Sequence, residues 1–407
     1  MRKFFIILIV LCIMPLAIFP AGQGEAVTTP GVTDTEILVG YSMPMSGPIG
    51  FIGNQTADAT RAVFNKANDE GGIYGRKLKL ITYDSGMDVA QAVANYKKLI
   101  FEDKAFCVLF GFGSYVRPGY PLFEENMVPW LFPMAPPEDT MFPARKYLFS
   151  VFPTTATQMR TITKWLIQQD KWHKIGAIYG DSASGKTGFD RLKKELEGSS
   201  IQIVAAEALL ETSPSAAVQV AKIKQADPDL ALVFGMTMQP AAVAIKEIKR
   251  VGMTVPIMVN QPITNSVLLD LLKDENIEGL MGSYWGKIQY MTGYENEATP
   301  EMRAIAQTIV KYFPDYGKLG SNIGGLVEHG LSVQLFVEAL KKTGKNLTRE
   351  GLIKTLETSI SNYPSGKGSL VTFSPKRHEG VAGGIIAQVK NGWWRPVSDW
   401  IEVELEE

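Results

Sequence analysis

The chain has 407 residues, of which 45% are hydrophobic and 20% are charged. This length exceeds one ordinary domain and predicts two lobes, and the composition is that of a globular protein whose core needs no metal or disulfide. The 41 basic and 42 acidic residues leave a net charge of −1. The chain lacks the positive charge that commonly accompanies binding to phosphate backbones, so no nucleic acid is expected as a partner.

The N-terminal segment predicts a secretory signal peptide, which we place at residues 1–26. Two basic residues precede an apolar run over residues 4–19, and small and polar residues follow it. An anchoring helix is the alternative, but the run is shorter than the roughly 20 residues that span a bilayer, and Pro15 interrupts it. We therefore expect an exported, periplasmic protein. The cleavage point stays open, and the bulky residue before Cys12 argues against a lipid anchor.

Short β-rich runs alternate with longer amphipathic runs as far as residue 280, which is typical of parallel sheets with crossover helices. The first series has predicted strands at 36–41, 78–83, 105–110 and 129–132, and helices at 55–68, at 89–101 and before Asn126. The second has predicted strands at 174–179, 201–206, 230–234 and 256–259, and helices at 155–169, 188–197, 216–225 and 240–251. The two series predict an α/β fold with two doubly wound units.

The alternation ends after residue 280. Helices are predicted there at 300–313, 325–342 and 348–358, followed by β-like segments at 371–373 and 384–389. These strands are too few for a third sheet, so we expect the chain to complete the first unit and then the second. A cleft between two such units, at the carboxyl ends of their strands, is the expected ligand site.

Residues 180–187, Gly-Asp-Ser-Ala-Ser-Gly-Lys-Thr, match the phosphate-loop pattern GxxxxGK[ST] between a predicted strand and a predicted helix. In a nucleotide enzyme, Lys186 would contact the terminal phosphate and Thr187 would bind magnesium. No strand ends in an obvious second magnesium-binding aspartate, because Asp229 begins its strand. We therefore favour a turn rich in glycine and serine that leads into a capped helix.

Other catalytic and metal sites are not indicated. The three histidines lie far apart in the sequence, and no G-x-S-x-G elbow occurs. Cys107 sits in an apolar strand, where cysteine is usually a small core residue. The tryptophans at 393–394 could form a sugar platform, although packing of the closing strands is the favoured interpretation. We expect no enzyme activity, no cofactor and no metal.

Several motifs along the chain carry a resemblance to one known family. They are Ile-Leu-Val-Gly-Tyr-Ser-Met-Pro-Met-Ser-Gly-Pro at 37–48, Asn-Asp-Glu-Gly-Gly-Ile-Tyr-Gly-Arg at 68–76, Tyr-Asp at 83–84, Ile-Tyr-Gly-Asp at 178–181 and Val-Thr-Phe at 371–373. Taken together and in this order, they resemble the periplasmic leucine/isoleucine/valine-binding protein family of ABC-transporter receptors. The similarity runs over nearly the whole mature chain.

The resemblance implies a type I periplasmic binding fold, in which two Rossmann-like lobes are joined by three crossover segments and close on a ligand by hinge motion. We place lobe 1 at residues 31–153 and 281–368 and lobe 2 at residues 154–280 and 369–407. The implied partners are a small-molecule ligand and the membrane permease of an ABC transporter, and the implied state is a monomer. A chemosensory receptor would share these features, so transport and sensing stay open.

The resemblance also implies a set of site residues. Family members hold the α-carboxylate of an amino acid with a loop that bears Ser and Thr and with a backbone amide of the first lobe. Residues 112–115 and 133–136 occupy those loops here, and Ser114 either binds the ligand or only caps the following helix. The predicted ligand-binding residues are Phe51, Gly113, Ser114, Tyr115, Ala135, Pro136, Ser184, Met236, Thr237, Gln261 and Trp285.

Departures from the family pattern concern the charge of the ligand. In amino-acid binders an acid of the second lobe grips the ligand ammonium, and Gln261 occupies that place here. A neutral amide cannot supply the charge-assisted bond that offsets burial of an ammonium. Met236, Met238 and Phe51 add only apolar surface. We expect a carboxylate or amide head on an apolar or aromatic body, with branched-chain or other amino acids as the alternative.

Overall fold

The computed structural model describes residues 29–47, 49–261, 263–286, 295–318 and 323–405. The predicted signal peptide at residues 1–26 lies outside the described residues. Within these ranges, no helix is both long enough and apolar enough to cross a membrane.

Helices and strands alternate along the described residues as far as β10 (Met281–Tyr284), and three α-helices and then five strands follow. The helices are α1 Gly50–Asp69, α2 Val89–Lys97, α3 Gly113–Glu125, α4 Glu138–Met141, α5 Thr155–Gln169, α6 Ala183–Leu196, α7 Ala217–Gln225, α8 Met238–Arg250, α9 Ser266–Leu271, α10 Pro300–Tyr312, α11 Gly324–Thr343 and α12 Arg349–Ser359. The strands are β1 Glu36–Met43, β2 Lys77–Asp84, β3 Cys107–Leu109, β4 Trp130–Leu131, β5 Leu148–Phe149, β6 Lys174–Gly180, β7 Gln202–Leu209, β8 Leu230–Phe234, β9 Ile257–Val259, β10 Met281–Tyr284, β11 Tyr363–Pro364, β12 Leu370–Val371, β13 Gly383–Lys390, β14 Trp393–Pro396 and β15 Ile401–Glu402.

The first lobe is built on a sheet of five parallel strands in the order β2-β1-β3-β4-β5. β1 pairs with β2 along its whole length, from Glu36 opposite Lys77 to Met43 opposite Asp84. β3 pairs with the other side of β1, so the strand order reverses at β1 as in doubly wound sheets. Helices α1, α10 and α11 pack together in this lobe, as do α2 and α3.

The second lobe is built on a sheet in the order β14-β13-β10-β9-β8-β6-β7, with β15 beside β13. β6 to β10 run parallel, whereas β13 is antiparallel to β10. Every residue of β8 is buried, with Ala231 and Val233 in one core cluster and Leu230, Leu232 and Phe234 in another. Side chains alternate across a strand, so these clusters lie on the two faces of the sheet.

Three crossover segments join the lobes. The first follows β5, the second lies between β10 and α10, and the third lies between β12 and β13. The predicted boundary at residue 281 falls before β10, which belongs to the second sheet. The boundary at residue 368 falls before Val371 and Phe373, which pack in the core of the first lobe. We therefore propose to move the second boundary past Tyr284 and the third past Phe373.

The first and third crossover segments are bonded to each other. Ser150 N donates to His378 O at 2.9 Å, and Gly380 N donates to Ser150 O at 2.7 Å. The backbone amide of Thr154 donates to Oε1 of the buried Glu379 at 2.7 Å. The two segments therefore form one bonded hinge rather than two independent linkers.

Most elements agree with the sequence prediction, and the differences have local causes. The helix predicted at 155–169 is confirmed, with Thr154 as its cap accepting from the amide of Thr157. α6 begins at Ala183, five residues before the predicted start at 188, because Ser182 caps it by accepting from Gly185 N. The glycines at 185 and 188 are tolerated within this helix because it packs closely against its neighbours.

The phosphate-loop match at 180–187 forms the tight turn that the sequence favours. Gly185 N donates to Ser182 Oγ at 3.1 Å, and Lys186 N donates to Ser182 O at 3.0 Å. A Cβ atom at Gly185 would lie 2.0 Å from the carbonyl oxygen of Gly180, so glycine is required by close packing. The Lys186 ammonium lies at the surface, 2.7 Å from Asp181 Oδ1.

Candidate functional site

A cavity of about 170 Å³ lies between the two lobes. Residues that line it follow the carboxyl ends of β3, β4, β8, β9 and β10, and others come from the first turns of α1, α5, α8, α9 and α11. The carboxyl edge of an open α/β sheet is where such folds bind ligands. The position of the cavity therefore agrees with the expected cleft.

The apolar part of the lining is largely aromatic. Phe51 and Phe112 contribute from the first lobe, and Trp393 contributes from the second. The crossover segments add Phe152 and Trp285, whose rings meet edge to face with centroids 5.0 Å apart. Aromatic side chains provide large rigid contact areas, so this surface suits the apolar or aromatic body of a small ligand.

The polar groups of the second-lobe wall are largely bonded within that lobe. Thr237 donates from its hydroxyl to Glu211 Oε2 at 2.7 Å. Gln158 donates to Pro153 O at 3.0 Å and accepts from Asn260 Nδ2 at 2.6 Å. These side chains are held in place before any ligand arrives.

Gln261 is the exception in the second-lobe wall. It follows β9, is buried, and its Oε1 atom has no hydrogen-bond partner among the described residues. Its backbone amide lies 3.4 Å from Ser283 Oγ. A buried acceptor without a partner is costly, so a ligand donor at this atom would be stabilising.

The cavity brings together five of the predicted ligand residues, namely Phe51, Ala135, Thr237, Gln261 and Trp285. The other six, Gly113, Ser114, Tyr115, Pro136, Ser184 and Met236, are not among its lining residues. In their loops the neighbouring side chains Phe112, Met134 and Met238 take the lining positions. The cavity therefore lies at several of the predicted loops, with neighbouring residues of those loops in the lining positions.

The displaced residues make other contacts. Ser114 is exposed within α3, whose N-cap is Phe112 without a side-chain hydrogen bond, so the predicted capping role of Ser114 is wrong. Tyr115 is buried with its hydroxyl 2.9 Å from Ser85 Oγ. The hydroxyl of Ser184 lies 2.5 Å from that of Thr155, where α5 and α6 pack.

Met236 and the tandem tryptophans also divide between core and cavity. Met236 packs in a second-lobe core cluster, whereas Met238 lines the cavity. Trp394 is buried and donates from Nε1 to Asn265 O at 3.0 Å, as expected for packing of a closing strand. Trp393, next to it on β14, lines the cavity and also packs against the core cluster that contains Trp394.

Glu328 and His329 on α11 line the cavity and were missed by the sequence analysis. Glu328 Oε1 accepts a hydrogen bond from the hydroxyl of Tyr284. Burial raises the pKa of Glu328 above its usual value, and Lys367 and Tyr284 act in the opposite direction. The signal that the sequence offered was the adjacent pair Glu328 and His329 inside an otherwise apolar helical run.

The expectation that Gln261, Met236 and Met238 offer no negative partner for an ammonium did not include Glu328. The prediction considered only the positions that family members use in the second lobe. Glu328 supplies a carboxyl group from the first lobe instead. This group can accept a hydrogen bond from an ammonium, an amide or a hydroxyl.

Lys367 lies behind Trp285 and is 1% exposed. Its Nζ atom lies 2.8 Å from the centre of the Trp285 ring and has no hydrogen-bond partner among the described residues. Burial lowers the pKa of Lys367 to about 7, while the negative charge of Glu328 acts to raise it. Lys367 and Glu328 are therefore two ionisable groups whose charges act on each other's pKa.

Among the described residues, no group of three or more His, Cys, Asp and Glu side chains could hold a metal ion. Cys107 is buried in the core, and burial raises the pKa of its thiol far above the usual value. A thiol in that state is a poor nucleophile.

Comparison with known proteins places this architecture in a family. The family model described as periplasmic binding protein matches residues 36–393. The chain belongs to this family. The type I periplasmic binding fold expected from the sequence is confirmed, with two lobes and three crossover segments.

Relatives within the family are distant. The leucine-, isoleucine-, valine-, threonine- and alanine-binding protein of Pseudomonas aeruginosa is 21% identical over 61% of this chain and 66% of its own length. The match therefore spans just under two thirds of that relative.

Solved structures show the same fold at similar identity. A fatty acid ABC transporter substrate-binding protein from Thermomonospora curvata has a TM-score of 0.77 and 22% identity, over 93% of this chain and 95% of its own. A branched chain amino acid ABC transporter from Thermus thermophilus with bound valine also has a TM-score of 0.77, at 19% identity over 91% of this chain and 98% of its own.

Proposed function

We propose that this protein is the exported solute-binding component of an ABC-type uptake system. It binds a small organic ligand in the cleft by hinge closure and delivers it to a membrane permease. The ligand has a carboxylate or amide head and an apolar or aromatic body. The protein acts in the periplasm as a monomer, without a cofactor and without catalysing a reaction.

The observation that carries this proposal is the cavity between the lobes. It is formed by both lobes and by two crossover segments, so motion at the hinge would open and close it. Its volume of about 170 Å³ is below the roughly 300–1,000 Å³ of sites for drug-sized ligands, which favours a small solute.

The ends of helices around the cavity favour an oxygen atom of the ligand head. α8, α9 and α11 begin with residues of the lining, and α8 and α11 have no side-chain cap. Unbonded backbone amides and the helix dipole attract carboxylate or carbonyl oxygens at such ends. The aromatic lining then accommodates the body.

A second candidate is the binding of branched-chain or other amino acids. It is favoured by Glu328, whose carboxyl group in the cavity could accept a ligand ammonium. The names of the relatives, which include branched-chain amino-acid binders, point the same way. A ligand-sensing receptor subunit would use the same site.

Mass spectrometry of small molecules released by denaturing the purified protein tests the ligand class. We expect one predominant solute with a single polar head and an apolar or aromatic body. Release of a sugar, a nucleotide or a metal chelate would contradict the proposal. N-terminal sequencing of the mature protein tests export, because a chain that keeps Met1 in a membrane-embedded form would exclude it.

A further inference from the structure

We propose that the cavity selects a ligand head that carries no net charge and presents N–H donors to Glu328 and His329, as amides and amino acids do. This inference rests on the proposed function and narrows it. Of the two heads expected from the sequence, it favours the amide over the simple carboxylate. Glu328 and His329 then determine specificity from the first-lobe wall.

Glu328 is the only charged side chain among the described residues that line the cavity. It lies in the second turn of α11, partly exposed to the cavity. An ionised carboxylate has about four lone-pair sites, and the hydroxyl of Tyr284 occupies one of them. Burial keeps that hydroxyl protonated by raising the pKa of Tyr284 well above its usual value. Glu328 therefore retains acceptor sites for a ligand donor.

His329 is a second acceptor in the same wall, because its hydrogen bonds fix its tautomer. The hydroxyl oxygen of Thr56 lies 2.8 Å from Ile52 O and 3.1 Å from His329 Nδ1. Two oxygens at 2.8 Å require a proton between them, so Thr56 donates to Ile52 and His329 Nδ1 must donate to Thr56.

This assignment leaves His329 Nε2 without a proton. Burial, with the charge of Lys367 acting in the same direction, lowers the pKa of the imidazole to about 3, so the ring is neutral near pH 7. A neutral imidazole that donates through Nδ1 can only accept through Nε2. Glu328 and His329 are adjacent on α11 and both accept, so the ligand must supply the protons.

The charge balance excludes a simple carboxylate as the preferred head. Lys367, whose positive charge acts on the pKa of Glu328, lies against the ring of Trp285 and is not among the residues that line the cavity. A mono-anionic ligand would add an unmatched negative charge next to Glu328 in a closed cavity. A head with no net charge adds none.

Two further buried atoms, one donor and one acceptor, match the carbonyl oxygen and the N–H group of an amide-like head. The indole Nε1 of Trp285 is buried without a hydrogen-bond partner among the described residues, and it can donate to a carbonyl or carboxylate oxygen. Gln261 Oε1 is a buried acceptor that also has no hydrogen-bond partner among the described residues, and it can accept a hydrogen bond from a second N–H of the ligand. Amides and zwitterionic amino acids carry both kinds of group.

Matched sets of ligands with one body and different heads test the inference. One set is isocaproate, isocaproamide and leucine, and the other is hydrocinnamate, hydrocinnamamide and phenylalanine. Isothermal titration at pH 7 should find the carboxylate the weakest binder of each set, by at least about tenfold relative to the amide or the amino acid. A carboxylate that binds most tightly in its set would overturn the inference and leave the proposed function standing. If no member of either set binds, the ligand class of the proposed function is wrong, and the inference falls with it.

A variant and its control test whether Glu328 causes the preference for uncharged ligand heads over the carboxylate. Glu328→Gln keeps the shape and can still accept from Tyr284, and it should reduce the preference for uncharged heads over the carboxylate by about tenfold. Glu338→Gln, on the same helix and outside the cavity lining, should leave the preference unchanged. His329→Phe, which fills the same space without an acceptor, should weaken the amide more than the carboxylate and provides a second test if Glu328→Gln folds poorly. An unchanged preference in both cavity variants would overturn the assignment.

Discussion

The two walls of the cleft differ in whether their polar groups are hydrogen-bonded within the protein. In the second-lobe wall, Thr237 and Gln158 are bonded to side chains and carbonyls of their own surroundings. In the first-lobe wall, Glu328 and His329 keep acceptor sites that face no protein donor among the described contacts. Apart from Gln261, the second lobe therefore provides a bonded surface, and the first lobe provides the two acceptors on which our proposal of ligand selection rests.

Our proposal therefore differs from the family pattern in which lobe supplies the acid that binds the ligand. In the amino-acid binders of the family that the sequence resembles, the acid that binds the ligand ammonium comes from the second lobe. Here Gln261 occupies that place, and the carboxyl group of Glu328 lines the cavity from the first lobe. The same kind of bond can be supplied from the opposite wall because both walls lie within reach of one small cavity.

The largest effect is expected at Glu379, a buried acid of the hinge outside the cavity lining, which tests whether a buried acid elsewhere influences the ligand preference. Burial raises its pKa to about 7 from the usual 4.5, although the Thr154 amide acts in the opposite direction. The folded state therefore holds a proton that the unfolded state releases between these two values, so stability falls as pH rises through this window. Relative to Glu379→Gln, the parent should lose about 3 kcal/mol between pH 4.5 and 7.

Denaturant unfolding of the parent and of Glu379→Gln at several pH values measures this difference. The ligand preference should be the same in both proteins, because Glu379 belongs to the hinge. A stability difference that is independent of pH would contradict the buried, protonated state. A changed head preference would remove the distinction between the first-lobe wall and other buried acids.

The next effect concerns the coupling between Glu328 and Lys367. Each single change, Glu328→Gln or Lys367→Met, leaves the other group buried without its countercharge, whereas the double change removes both. We expect the double variant to be more stable than the sum of the single effects predicts, with a coupling energy of about 2 kcal/mol near pH 7. A double-mutant cycle from denaturant unfolding measures it. Additive effects would mean that Lys367 does not balance the charge of the first-lobe wall.

The sequence predicted the fold well because its signals are local. The strands at β6 and β8 and the helix at α5 follow from hydrophobic periodicity and capping residues that lie within each segment. We propose to move the boundary near β10 because membership of a sheet depends on pairing with β9 and β13, which the sequence does not reveal.

The site was predicted only in part for the same reason. Thr237 and Gln261 follow strands whose carboxyl ends could be recognised, so their place at the cleft could be anticipated. Glu328 and His329 lie in the second turn of α11, within an otherwise apolar helical pattern. Only the packing of α11 against α1 turns that face toward the cavity. Lys367 is brought behind Trp285 by a loop whose sequence resembles any polar turn.

A smaller effect is expected for Thr237→Val in the second-lobe wall. The change removes the hydroxyl that donates to Glu211 and keeps the volume, so it should lower the free energy of unfolding by about 1 kcal/mol. Because this hydroxyl is already bonded within the lobe, affinity for the preferred ligand should change less than twofold. Titration of Thr237→Val beside Thr237→Ser checks this. A tenfold loss in the valine variant alone would give the second-lobe wall a direct role in recognition.

The smallest effect is expected for Lys186→Ala, in the second-lobe turn whose sequence matches the phosphate-loop pattern. The turn has no open cradle for a phosphate, because Ser182 accepts from the amides of Gly185 and Lys186 and the backbone at Gly180 fills the space beside Gly185. The lysine itself lies in solvent beside Asp181, where an exposed ion pair contributes little. We therefore expect an unchanged melting temperature, unchanged ligand affinity and no heat of binding when nucleotide and magnesium are titrated into the parent. Saturable micromolar nucleotide binding by the parent, lost in the variant, would give the second lobe a site of its own and would revive the enzyme hypothesis.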